Sequence, residues 1–106
     1  MSGRIMRIYK YEVVDDARYE RVKNRPTVKR AECLLEMVRE DLRIIPDDRK
    51  AELMDVHAFA YRTFYEVIRD ADERKGSGSM TKSSDQVRRA VKMYNRARAK
   101  YDKKYL

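Results

Sequence analysis

Pro46 separates two stretches in which apolar residues recur every three or four positions, and it keeps them from forming one continuous helix. On the amino-terminal side Val28, Ala31, Leu34, Leu35, Val38 and Leu42 fall on one helical face, so the spacing predicts a helix over about 28–43. Ile45 precedes the proline and is driven out of the helical region, and Thr27 is the expected N-cap. On the carboxy-terminal side Asp47 is the expected cap of a helix over about 48–74. Its stripe reads Ala51, Met54, Ala58, Tyr61, Tyr65 and Ile68, flanked by Leu53, Val56, Ala60, Phe64 and Val67. That breadth implies contact with more than one neighbour. A short turn at the proline makes the two helices antiparallel.

A second break lies at 76–79, Gly-Ser-Gly-Ser, which holds two of the three glycines in the chain. Beyond it, Ser84 is the expected cap of a helix over about 85–105. Val87, Val91, Tyr94, Arg98, Tyr101 and Tyr105 form one line, with Ala90 and Ala97 beside it. Before Pro26 the pattern is weaker. Residues 16–24 suit a short helix, and Arg4-Ile-Met-Arg-Ile-Tyr-Lys-Tyr-Glu-Val-Val14 fits either a strand or a short helix, with no second strand in view. The fold class is therefore an all-α small helical bundle, one domain in size for 106 residues.

Charge is divided unevenly across the glycine-serine break. Residues 1–75 carry 17 Lys/Arg against 16 Asp/Glu, whereas residues 80–106 carry 9 against Asp85 and Asp102 alone. Gly-Ser repeats are flexible and carry no packing information. Met80 opens the basic segment as a translation start would, so the tetrapeptide reads as an engineered linker, the alternative being a natural loop. The organisation that follows is a helical binding module over 1–75, a linker over 76–79, and a basic amphipathic helix over 80–106 belonging to a fused partner. A four-residue flexible tether spans about 11 Å, enough to bridge helix axes packed about 8–10 Å apart.

Catalysis finds little footing. His57 is the only histidine and lies on the edge of the apolar stripe, so it reads as a packed side chain rather than a general base. Glu66 and Asp70 stand four apart, but Arg62 and Arg69 make solvated ion pairs the simpler expectation. Cys33 reads as an inert boundary thiol. No second histidine provides a metal pair, and no phosphate loop follows the glycines, so neither a cofactor nor a metal is expected. One cysteine forms no internal disulfide, no apolar run reaches bilayer length, and the start of the chain lacks a secretory core. These features predict no membrane partner and a cytoplasmic setting, in a cell or in a virus within one.

The sharp signal is the basic segment. Arg88, Arg89, Lys92, Arg96, Lys100 and Lys103 are candidates for contact with DNA or RNA phosphates, with tyrosines free to stack on unpaired bases. The competing expectation is docking on protein. There Val87, Val91, Tyr94, Tyr101 and Tyr105 anchor the helix on a receptor face formed by Glu32, Glu36, Glu40, Met54, Tyr61 and Tyr65. Arg88, Lys92 and Arg96 would meet those acids or Asp48, Glu52 and Asp55. A two-chain ribbon built from residues 4–14, as in strand readers of DNA, is a minor third expectation. The function favoured by the sequence is non-enzymatic: a recognition module holding a tethered basic helix. It would regulate transcription, replication or packaging in a phage, mobile element or cell. The alternative is a regulator that binds DNA or RNA directly, and the pattern leaves open whether two copies pair.

Overall fold

The computed structural model describes residues 7–8, 13–14, 16–74 and 79–106. Two short strands, β1 (Arg7–Ile8) and β2 (Val13–Val14), pair antiparallel with Arg7 opposite Val14 and Ile8 opposite Val13. Four helices follow: α1 (Asp16–Val22), α2 (Pro26–Ile44), α3 (Ala51–Arg74) and α4 (Thr81–Tyr105). The chain is an all-α small bundle with a minimal hairpin at its start. The strand partner missed in the sequence lies inside the same ambiguous segment, so the expected two-chain ribbon closes within one chain. The expected linker at 76–79 lies outside the described residues except for Ser79, as does Lys75.

Proline sets both ends of α2. Arg25 is extended (φ −70°, ψ 134°) because it precedes Pro26, which takes the first helical position where its missing N–H costs nothing. Ile45 is extended (φ −78°, ψ 138°) before Pro46, and its N–H closes the helix on the Asp41 carbonyl at 3.0 Å. Thr27 is thus inside the helix and buried, not its cap. After Pro46 the chain makes a 3₁₀ turn over Asp47–Arg49 before α3 begins, so the expected helix over 48–74 starts three residues late. Asp47 is in that turn, not at the cap of α3.

The core is one cluster drawn from all four helices. The apolar face of α2 is as the spacing predicts: Val28, Ala31, Leu34, Leu35 and Val38 are buried and Leu42 is half-buried. On α3 the centre of the buried arc differs from the stripe read in the sequence. Leu53, Val56, Ala60, Phe64 and Val67, expected to flank, form its middle, while Ala51 and Ala58 are exposed and Met54 and Tyr65 half-buried. The reason is that α3 packs against α1, α2 and α4 together. Its buried face is centred where the three neighbours converge, not on the densest apolar line. Tyr19 of α1 meets Phe64 edge-on at 6.1 Å between centroids, and Arg18 and Arg21 both pair with Asp72 at 3.1 and 2.7 Å, which fixes α1 to the far end of α3.

α4 begins at Thr81, a turn earlier than the sequence suggests. The Ser79 hydroxyl accepts the Thr81 N–H at 3.1 Å, and Ser84 N–H already donates to the Met80 carbonyl at 2.8 Å. Ser84 is therefore a first-turn residue whose hydroxyl is released for another partner. α4 runs antiparallel to α3, with Ser83 and Gln86 beside Asp70 and Glu66, and Ala97 beside Val56 at the other end. It runs parallel to α2, because Thr27 meets Ser84 and Asp41 meets Arg98, both pairs 57 positions apart.

Candidate recognition surface on helix α4

Every residue of an α-helix turns about 100° from the last, and this divides α4 into two faces of different chemistry. The inner face buries Ser83, Val87, Ala90, Ala97 and Tyr101. Two of these are alanines, whose small side chains let α4 approach α3 closely. Tyr94 and Tyr105 are half-buried against the same core, and Tyr105 lies 4.9 Å from the Tyr101 ring and 4.7 Å below the Arg49 guanidinium. Of the expected anchors only Val91 stands in solvent.

Polar contacts at both ends pin this face. The Tyr94 hydroxyl donates to Asp41 Oδ2 at 2.7 Å, and Arg98 reaches the same oxygen at 3.0 Å. Burial, then the hydrogen bond and charge of Asp41, push the Tyr94 hydroxyl up to about 12, with Arg98 opposing. The Arg98 guanidinium is held above its ordinary value mainly by its hydrogen bond to Asp41. At the other end of the helix, Ser83 Oγ donates to Asp70 Oδ2 at 2.7 Å and Gln86 Nε2 donates to Glu66 Oε1 at 2.6 Å. The Ser84 and Thr27 hydroxyls lie 3.2 Å apart, with the Arg30 guanidinium 3.4 Å from each.

The expected receptor face is only partly the one α4 meets. Glu32 accepts the Tyr19 hydroxyl of α1 at 2.7 Å, Glu40 pairs with Arg43 on its own helix, and Glu36 is exposed. Tyr61 is buried in the core, Met54 is half-buried, and Tyr65 is half-buried with Arg69 5.9 Å above its ring. The carboxylates that do receive α4 are Asp41, Glu66 and Asp70. Asp41 had a readable signal: it follows Leu34 by seven and Val38 by three, so it lies on the apolar line of α2. Glu66 and Asp70, expected to pair with Arg62 and Arg69, instead accept hydrogen bonds from α4, and Asp70 also takes Arg74 at 2.9 Å.

The outer face is basic. Arg88, Arg89, Lys92, Arg96, Lys100 and Lys103 are all exposed and fall within an arc of about 120°. Arg88 pairs with Asp85 at 2.6 Å. The other five make no ion pair among the described residues. Arg96 and Lys100 border a depression with Glu52 and Asp55, without an ion pair to either acid among the described residues. Arg88 and Lys92 meet none of the acids of α2 or α3.

The remaining chemistry-bearing residues are plain in position. His57 is buried within α3, and Cys33 is exposed beside Tyr19, Lys23 and Lys29. Among the described residues no group of three His, Cys, Asp or Glu side chains is arranged to hold a metal, and no helix is long and apolar enough to cross a membrane. No protein family, no curated protein and no solved structure matches this chain.

Proposed function

We propose that the chain acts by recognition and not by catalysis. Residues 16–74 serve as a cradle that holds the basic helix α4 as a tethered ligand, in the regulation of a nucleic-acid transaction. The observation that carries this reading is the convergence of Tyr94 and Arg98 on Asp41. One carboxylate of the cradle, its side chain 13% exposed, takes two donors of α4. The charge discontinuity at the glycine-serine break supports treating α4 as a separate segment. The test is calorimetric titration of residues 80–106 into residues 1–75. Saturable one-to-one heat that Tyr101→Ala abolishes is the expected result, and absence of heat with a folded 1–75 contradicts it.

A second reading is direct binding of DNA or RNA, and the outward basic arc favours it. Holding the inner face of α4 against α2 and α3 leaves these cations pre-ordered on one side of a rigid helix, where they neutralise phosphates without further folding cost. The cradle and the polyanion use opposite faces of α4, so the two readings are compatible in one molecule. Electrophoretic retardation of a nucleic acid by the full chain, lost when the arc is neutralised, checks this second reading.

A further inference from the structure

Resting on the reading that α4 meets nucleic acid, we infer that its target is the sugar-phosphate backbone of B-form duplex DNA, bound with little regard to sequence and with α4 lying along the major groove. Taking Arg89 as the zero of the helical wheel, the six cations run from about −100° at Arg88 to about +20° at Lys100. Tyr94, Tyr101 and Tyr105 fall between about +120° and +160° on the same wheel, all buried or half-buried against the core. The helix thus turns every aromatic ring it has away from the charged arc. Proteins that hold unpaired strands stack bases on aromatic side chains, and this arc offers none. It presents point charges and forks suited to phosphates, and between Arg88 and Lys103 the one uncharged residue within the arc is Ala99.

Dimensions agree with a duplex. From Arg88 to Lys103 the helix rises roughly 22 Å, and with side chains it is about 10–12 Å across. The major groove of B-DNA is about 12 Å wide and admits a helix of this kind, whereas the deep, narrow major groove of an RNA duplex does not. Cations spread over a third of the helix circumference reach the phosphates on both walls of such a groove. Asp85 ties up Arg88, and Glu52 and Asp55 stand near Arg96 and Lys100. Arg89, Lys92 and Lys103 are therefore the least encumbered.

The test is fluorescence anisotropy of the full chain with a labelled DNA duplex of about 24 base pairs. A single strand of the same length and an RNA duplex are measured beside it, from about 50 to 200 mM KCl. The expected result is a slope of log affinity on log salt of about −3 to −5 for the DNA duplex, a loss of roughly 60- to 1,000-fold across that range. Unrelated duplex sequences should agree within about five-fold, and the single strand and RNA duplex should bind more weakly. Lys92→Gln with Lys103→Gln should flatten the slope by nearly two. Both side chains are exposed, so the melting temperature should hold, and the two single variants serve if the double does not fold. Equal or tighter binding of the single strand or the RNA duplex, a slope near zero, or strong preference for one sequence overturns this inference while leaving nucleic-acid binding standing. No binding of any probe at the lowest salt overturns the underlying reading as well.

Discussion

Tyr94 and Asp41 lie 53 positions apart in the chain, and the hydroxyl of one donates to the carboxylate of the other at 2.7 Å, joining α4 to α2. Arg98 meets that carboxylate from the next turn of α4. A hydrogen bond to a charged acceptor contributes about 1.5–3 kcal/mol when partly shielded from water. Tyr94→Phe keeps the ring and removes the bond, so it should cost about 1–2 kcal/mol, a drop of several degrees in melting temperature. Asp41→Ala removes the acceptor of Tyr94 and one of two carboxylates that meet Arg98, the other being Asp102 at 3.2 Å, and should cost more than Tyr94→Phe in the same thermal melt.

The same contact sets a pH dependence. The Tyr94 hydroxyl is raised to about 12 in the folded chain, against about 10 when exposed. A group whose folded value is raised contributes stability that is fully present below the unfolded value and disappears as pH climbs through the folded one. Thermal melts should therefore show the Tyr94 contribution intact below pH 10 and fading between about 10 and 12. Tyr94→Phe should remove this component of the alkaline decline, and an unchanged profile in the variant contradicts the assignment.

The close approach of α4 to α3 depends on its small residues. Ala90 is 1% exposed, so Ala90→Leu forces extra methylenes into a packed seam and should destabilise by about 1–3 kcal/mol in denaturant unfolding. Ala99, on the outer face of the same helix, is exposed. Ala99→Leu should change stability by no more than about 0.5 kcal/mol. Equal effects at the two positions would mean that the face assignment of α4 is wrong.

Tyr101 is the largest apolar side chain that α4 places in the core, at 8% exposure beside Tyr105. Tyr101→Ala should cost about 3 kcal/mol or more, in the range for large aromatic truncations. Circular dichroism at rising temperature checks it, and a melt indistinguishable from the parent chain would remove the tyrosine ridge as an anchor.

Which parts of this fold were readable follows from how many neighbours each helix has. α2 shows its core to one side, so Val28, Leu35 and Val38 mark that side directly in the sequence. α3 is surrounded by three helices, and no single stripe describes it; Phe64 and Val67 lie at the centre although they sit off the line through Met54 and Tyr65. Thr27 and Ser84 look like local caps, yet their hydroxyls meet each other across two helices. A tertiary partner decided their role, and local spacing carries no trace of it. The site divides in the same way. The basic arc and the tyrosine anchors of α4 follow from periodicity alone, while Asp41, Glu66 and Asp70 emerge only once α2, α3 and α4 are brought together. Glu32 and Glu40, more regular in spacing, are engaged by α1 and by their own helix instead.

The central claim is that the inner face of α4 is held by residues 16–74, and a cleavable linker tests it most directly. A protease site placed within residues 76–79 allows the folded chain to be cut and then passed through gel filtration. The account predicts that the two pieces co-elute, keep their helical content and separate only when Tyr101→Ala or denaturant weakens the seam. Release of residues 80–106, with the remainder retaining its full helicity and melting temperature, would contradict it.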